Sequence, residues 1–242
     1  MRDAVLLAAG EGKRLDPLTQ HQPKPLIKLL GKPLLAHVLE RLQVTGIKRV
    51  IIITGYKHEQ IEKFLTQHPD WGFGIVTVFN ENYERGNGDS LLCAEQFVED
   101  RFLLAMADHL VDPRIYLKVA AHEGLGLCVD KNATLLAAGP QPQNQLAEAT
   151  KVWIEEDRIL QIGKHLNVWN GIDVGVFSMT TLIFEALHSL EREKAVTLTS
   201  AVSRLIERGN AFSALDVSGM FWCDIDTPLE LKIAEEKLRC KL

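Results

Sequence analysis

No zinc knuckle or disulfide framework is written into this sequence. Its four cysteines, Cys93, Cys128, Cys223 and Cys240, are scattered without CxxC spacing, the usage expected of reduced thiols in a cytoplasm. No apolar run reaches the roughly 18 residues of a membrane-helix candidate, so membrane insertion is not expected. Met1-Arg2-Asp3 leads straight into a short apolar stretch rather than a signal peptide, and the expected location is cytoplasmic. A long basic run is also missing, and the formal charge is a mild −5. That argues against a nucleic-acid or membrane-surface role. Ser90, Ser178 and Ser200 lack a nucleophile-elbow setting, and the eight histidines form no HExxH pattern, which leaves no nucleophile paired with a base.

What is present is a phosphate-site layout near the start. An apolar strand, Ala4 to Ala9, runs into Gly10-Glu11-Gly12-Lys13-Arg14, and a polar loop then ends in Pro23-Lys24-Pro25. Glycines let backbone N–H groups approach an anion closely, since no Cβ intervenes and positive φ is allowed. Lys13, Arg14 and Lys24 put cations around the same point. Two better-known glycine motifs do not fit: Leu15 stands where a dinucleotide fingerprint needs its third glycine, and Arg14 where a P-loop needs Ser or Thr. The simpler reading is a strand-to-helix turn with a solvated basic loop. Against it stands Pro-Lys-Pro, whose prolines fix the backbone on both sides of one lysine.

With 242 residues and 46% hydrophobic content, the chain can bury a full α/β core as one domain. Strand and helix signals alternate: strand at Ala4–Ala8, helix at Leu34–Thr45, strand at Arg49–Thr54 and helix at His58–Gln67. Ile75–Phe79, Ser90–Val98 and Phe102–Ala107 continue the alternation. This predicts a doubly wound, mostly parallel, Rossmann-like α/β sheet. Ligands of such sheets gather at the carboxyl ends of the strands. The Gly10–Arg14 loop, Thr54-Gly55-Tyr56, Asn80–Asn87 and Ala107-Asp108-His109 are therefore expected on one rim.

Later, Ala149–Glu155 and Arg158–Gly163 read as a small β-hairpin lobe, and Ile172–Met179 as an apolar strand. Helices are expected at Thr180–Leu190, Leu198–Arg208 and Pro228–Arg239, the last with Thr227 as N-cap, and a late strand at Phe212–Val217. Gly139–Gln145 is the one linker-like stretch, and no internal repeat is present.

Asp108 follows the strand FLLAMA directly, where its carboxylate either binds a cation such as Mg²⁺ or makes a turn. Asp224 and Asp226 are two apart, so an extended segment points both the same way; Asp226 could also serve the N-terminus of the last helix. Bringing both to Asp108 is expected to need a metal. Chemistry without a protein nucleophile suits a substrate that is itself nucleophilic, such as a phosphate monoester, largely a dianion at neutral pH. Its obstacle is repulsion by a triphosphate. Two unit charges ~4 Å apart interact by about 4 kcal/mol at an effective dielectric of ~20, which one metal and several cations can offset.

Leu7-Ala8-Ala9-Gly10-x-Gly12-x-Arg14, Pro17-Leu18-Thr19, Pro23-Lys24-Pro25-Leu26 and Asp224-x-Asp226-Thr227-Pro228 together resemble the sugar-phosphate nucleotidyltransferases. Lys13 stands where the commoner family pattern carries Thr or Ser. The resemblance implies the nucleotidyltransferase fold, a Gly loop (Leu7 to Lys13) that binds the triphosphate, Arg14 on the departing diphosphate and Lys24 on the transferred phosphate. It also implies Mg²⁺ held by Asp108, Asp224 and Asp226. Glu84 to Leu92, Val98 to Phe102, Asp108-His109, Glu148-Ala149-Thr150-Lys151, Ile162-Gly163-Lys164 and Asp173-x-Gly175 narrow it to the inositol-1-phosphate cytidylyltransferases. These make CDP-inositol from CTP and inositol 1-phosphate, sometimes fused to a membrane phosphatidyltransferase; a stand-alone form is expected here.

The resemblance further implies Asn87 and Gly88 near the base or ribose and Lys151 on the acceptor phosphate. His109, Glu148 and Asp173 are expected to face the acceptor, although His109 could equally cap a segment and Asp173 a strand edge. Residues 1–110 would form the nucleotide half and 111–242 the acceptor half, and a homodimer is open. Alternatives are phosphocholine, which would need an aromatic cage from Trp153 and Trp169, a hexose 1-phosphate with another nucleotide, or a non-catalytic nucleotide sensor. A sensor would be expected to lose an aspartate or Lys24, and all are present.

Overall fold

The computed structural model of the protein describes residues 1–132, 146–190 and 195–239. Gly139–Gln145 and Cys240 fall outside these segments. The strands in chain order are β1 Asp3–Ala8, β2 Lys28–Leu29, β3 Lys32–Pro33, β4 Arg49–Thr54, β5 Gly74–Phe79, β6 Phe102–Met106, β7 His109–Val111, β8 Gly126–Asp130, β9 Lys151–Glu155, β10 Arg158–Gly163, β11 Gly171–Met179, β12 Ser213–Asp216 and β13 Trp222–Asp224. The helices are α1 Leu34–Leu42, α2 His58–Gln67, α3 Asn87–Leu92, α4 Pro113–Ala121, α5 Leu182–His188, α6 Leu198–Glu207 and α7 Pro228–Arg239.

Nine strands form one sheet in the order β5-β4-β1-β6-β11-β8-β12-β10-β9. The first half follows the expected parallel winding: Leu6 of β1 stands opposite Ile52 of β4 and Ala105 of β6. All six residues of β1 are buried, as continuous apolar strands with helices on both faces should be. The second half differs from the expected mostly parallel sheet. β11 enters between β6 and β8 antiparallel to both, because the β9–β10 hairpin reverses the chain just before it. The sheet is therefore mixed. The hairpin is not a detached lobe but the sheet edge, joined through β10 to β12 and through β9 to β11.

Each face of the sheet has its own core. Val5, Ile51, Leu104 and Phe177 pack with α5 and α6 on one side, and Leu6, Ile52, Leu103 and Val176 with α1, α2 and α4 on the other. A third, smaller cluster positions the site. Leu15, Ile27, Leu29 and Leu34 meet Leu110, Ile225 and Ala234 of α7. Leu110 follows His109, and Ile225 lies between Asp224 and Asp226. Burying a side chain the size of Ile225, which is fully enclosed, is worth ~1.5–3 kcal/mol. Strand alternation then turns the two flanking aspartates toward the opposite side. The same cluster fastens the loop that carries Arg14 and Lys24.

Candidate active site

A cavity of about 850 Å³ opens at the carboxyl ends of β1 and β6. Gly10 and Arg14 line it after β1, Asp108 and His109 after β6, and Asp224 and Asp226 after β13. Lys24 does not line it but lies buried directly behind the three aspartates. Its side chain is 6% exposed, and Nζ donates to Asp108 Oδ2 and Asp226 Oδ1, each at 2.5 Å, with Asp224 Oδ1 at 3.9 Å. Gly12 makes room for this lysine: at φ +72°, a Cβ there would stand 2.8 Å from Lys24 Cβ. Arg14 takes the other oxygen of Asp226. So the three aspartates do meet, converging on the Lys24 ammonium.

The charges are strongly perturbed. Burial alone would push the Lys24 ammonium down, but Asp108, Asp224 and Asp226 outweigh it and hold it above the ordinary lysine range. Burial opposes ionisation of Asp226 as well, yet Lys24 and Arg14 bring its carboxyl to about 2. Burial and Asp108 raise Asp224 against the pull of His109. Asp224 Oδ1 is buried and accepts no hydrogen bond. Its nearest cationic neighbours are His109 Nε2 at 3.5 Å and Lys24 Nζ at 3.9 Å, and with Asp108 it offers oxygen donors suited to a divalent cation.

Asp173 is a different case. Burial pushes its carboxyl up to about 6, against the hydrogen bond it accepts from Gly175 N at 2.6 Å. A carboxyl raised above its unfolded value contributes stability below the unfolded pKa and loses it as pH rises through the folded one. The window therefore runs from about pH 4 to about 6. Asp173→Asn should raise the thermal midpoint by a few degrees near pH 8, and the gain should vanish near pH 4. A gain that persists at pH 4 would locate the effect in packing rather than in the buried charge.

Of the residues expected in the site, Leu7, Ala9, Gly10, Arg14, Asn87, Asp108, His109, Glu148, Asp173, Asp224 and Asp226 line the cavity. Ala8 points into the core beneath. Glu11 and Lys13 pair with each other beside a smaller pocket shared with Thr19 and Tyr56. Asn87 lines the cavity, and its Oδ1 accepts from Leu198 N at 2.8 Å, while Gly88 N donates to Val196 O, which ties the start of α3 to the segment before α6. Lys151 does not line the cavity. Its Nζ donates to the carbonyl of Lys164 at 2.7 Å and lies 3.5 Å from that of Ala149. Lys164 lines the cavity instead, with Glu148 3.4 Å away.

Sequence reasoning gave no role to Tyr83, Phe221 or Glu230, which also line the cavity. Glu230 had a signal: Thr227-x-x-Glu230 is a capping box, and Glu230 Oε2 accepts from both Asp226 N and Thr227 N. Trp153 and Trp169 are absent from the lining; Trp153 donates to Glu155, and Trp169 packs against the core on one face of the sheet.

The pattern of the family described as nucleotidyl transferase matches residues 3–239. The chain belongs to the nucleotidyl transferase family. As a nucleotidyltransferase, it is 36% identical over 237 residues to a bifunctional IPC transferase and DIPP synthase of Aquifex aeolicus (strain VF5), covering 97% of this chain and 51% of that protein. It is 34% identical to the protein of the same name in Thermococcus kodakarensis (strain ATCC BAA-918 / JCM 12380 / KOD1), covering 97% and 50%. The chain thus spans about half the length of the curated relatives it matches. Among solved structures, the inositol-1-phosphate CTP transferase from T. maritima superposes with a TM-score of 0.85 at 30% identity, covering 100% of this chain and 96% of that one. A UDP-glucose pyrophosphorylase, 17% identical with a TM-score of 0.82, shares the fold. Among the described residues, no helix of this nucleotidyltransferase is long and apolar enough to cross a membrane.

Proposed function

We propose that the chain transfers the cytidylyl group of CTP to inositol 1-phosphate, making CDP-inositol and diphosphate, in the cytoplasm. The observation that carries this is the Lys24 ammonium nested among Asp108, Asp224 and Asp226 beside the cavity, in a chain aligned end to end with an inositol-1-phosphate CTP transferase. An acceptor phosphate oxygen attacks the α-phosphorus, the bond to the bridging oxygen breaks, and diphosphate leaves with the electron pair.

Divided among the residues, the first 110 bind the nucleotide and most of the acceptor contacts come from later ones. Leu7, Ala9, Gly10 and Asn87 face the nucleoside and triphosphate, and Arg14 neutralises the departing diphosphate. Lys24 meets the charge that grows on the transferred phosphoryl oxygens. A divalent cation, Mg²⁺ in this reading, would be held by Asp108 and Asp224, and when bound it neutralises and polarises the triphosphate. Asp226 has both oxygens committed to Lys24 and Arg14 and orients those cations.

On the acceptor side Asp173, Thr150 and Glu148 offer oxygens to ring hydroxyls. Among the described residues Lys164 is the lysine that lines the cavity, so it takes the acceptor phosphate, and Lys151 braces it by holding its backbone carbonyl. Lys164→Ala should raise KM for inositol 1-phosphate at least about tenfold with KM for CTP little changed. Lys151→Ala should mainly lower the thermal midpoint. Initial rates and melting curves on both variants check this, and the reverse pattern would return the phosphate to Lys151. Neither Trp153 nor Trp169, the tryptophans expected to build an aromatic cage for a quaternary ammonium, lines the cavity.

Diphosphate release tests the whole reading. Purified protein with Mg²⁺ is offered CTP, UTP, GTP, ATP and dTTP against inositol 1-phosphate, phosphocholine, glucose 1-phosphate and mannose 1-phosphate. Release with CTP and inositol 1-phosphate is expected. Release with another pair alone would overturn the substrate assignment and keep the mechanism.

A further inference from the structure

We propose that His109 is a nitrogen ligand of the divalent cation, so that the site consists of Asp108, His109 and Asp224 and favours Mn²⁺ or Co²⁺ over Mg²⁺. This rests on the transfer reading above and changes its metal chemistry. The backbone sets it up. β7 and β13 form a two-stranded antiparallel sheet in which His109 is the direct partner of Asp224, so both side chains project to the same side. Leu110, next in β7, turns the other way into the small core.

The imidazole is held in one tautomer and one orientation. Nδ1 lies 2.9 Å from the carbonyl of Val174; a carbonyl can only accept, so Nδ1 carries a proton. Gly175 stands behind the ring at φ +77°, where a Cβ would be 2.3 Å from Nδ1. Nε2 is thereby aimed at Asp224 Oδ1, 3.5 Å away, and Asp108 Oδ1, 3.8 Å away. A histidine whose far nitrogen donates to a backbone carbonyl is the usual arrangement of a metal ligand.

The carboxylate oxygens divide in the same sense. Asp108 gives Oδ2 to Lys24 and turns Oδ1 toward His109. Asp224 Oδ1 accepts no hydrogen bond. One donor atom from each of Asp108, His109 and Asp224 lies within 4.8 Å of the others, so a small inward movement brings all three onto one ion. Mg²⁺ takes oxygen ligands and accepts imidazole poorly, whereas Mn²⁺ and Co²⁺ accept a mixed set. The competing role for His109 is that of an imidazolium counter-charge between two aspartates, with no bond to metal.

Pulsed EPR of Mn²⁺ separates the two. Mn²⁺ is added to the wild-type protein alone and with CTP, and nitrogen modulation of the electron spin echo is recorded. Directly bound ¹⁴N should be seen in the wild type and lost in His109→Gln. That variant should weaken Mn²⁺ at least about tenfold, while Mg²⁺, measured by competition, shifts by less than about threefold. Bound Mn²⁺ without nitrogen coupling in the wild type would overturn the ligand assignment, and diphosphate release in the same sample would leave the transfer reading standing. Absence of both bound Mn²⁺ and diphosphate release would remove both.

Discussion

Lys24→Ala should lower kcat for diphosphate release by on the order of 10²–10³ while KM for CTP moves less than about fivefold. The unequal effect follows from where the ammonium sits. It is anchored by Asp108 and Asp226 at 2.5 Å and fixed before substrate arrives, so in the proposed reading it would stabilise charge that develops as the α-phosphorus is attacked without reorganising. In the proposed reading the ground-state triphosphate has other partners, Arg14 and the Gly10 loop. Removing the lysine also leaves three converging carboxylates without their central cation. Breaking a buried pair costs ~3–5 kcal/mol. Asp108, Asp224 and Asp226 are partly solvated, so ~2–3 kcal/mol is the more reasonable loss, a drop in thermal midpoint of roughly 5–10 °C. A divalent cation should restore much of that stability by binding the freed carboxylates, and should not restore turnover. Steady-state kinetics and melting curves with and without Mg²⁺ check both halves. Equal losses in kcat and CTP affinity would make Lys24 a binding residue only.

The parts of this molecule that were legible in the sequence are those set by local chemistry. Arg49–Thr54, His58–Gln67 and Pro228–Arg239 occur at the expected residues, because each has a clear period and, in the last, a proline and a threonine at its start. The Gly10–Arg14 loop, Asp108 and the alternating Asp224 and Asp226 reach one cavity, as strand-end positions should. What stayed hidden was set by tertiary context. Nothing in Gly171–Met179 says which way it will run beside Phe102–Met106. β8 and α4 gave no separate expectation, and β7 and β13 are three residues each, too short for a period to register. The direction of a lysine side chain is hidden for the same reason. Lys151 and Lys164 stand at adjoining ends of the β9–β10 hairpin, with Gly163 opposite Lys151, and only the folded hairpin turns one toward the carbonyls and the other toward the cavity. The resemblance pointed to Lys151, and the geometry favours Lys164.

Asp224→Asn and Asp226→Asn, two residues apart, should fail in different ways. Asp224 Oδ1 accepts no hydrogen bond in the structure, whereas both oxygens of Asp226 are committed, one to Lys24 at 2.5 Å and the other to Arg14. If the cation is held by Asp108 and Asp224, an amide at 224 removes an anionic ligand. The concentration of Mg²⁺ giving half-maximal rate should then rise more than about tenfold, with kcat down on the order of 10³. An amide at 226 keeps one acceptor oxygen and loses the charge that holds the two cations. Its half-saturating Mg²⁺ should stay within about threefold of wild type, while kcat falls on the order of 10² because Lys24 and Arg14 are no longer fixed. Asp108→Asn should combine both defects, since that carboxylate serves Lys24 through one oxygen and faces the proposed ion with the other. Metal-activation curves for the three variants, with melting curves to confirm folding, separate the roles. If Asp226→Asn shifts the Mg²⁺ requirement as far as Asp224→Asn does, the two aspartates share the metal and the division of labour drawn from their hydrogen bonds is wrong.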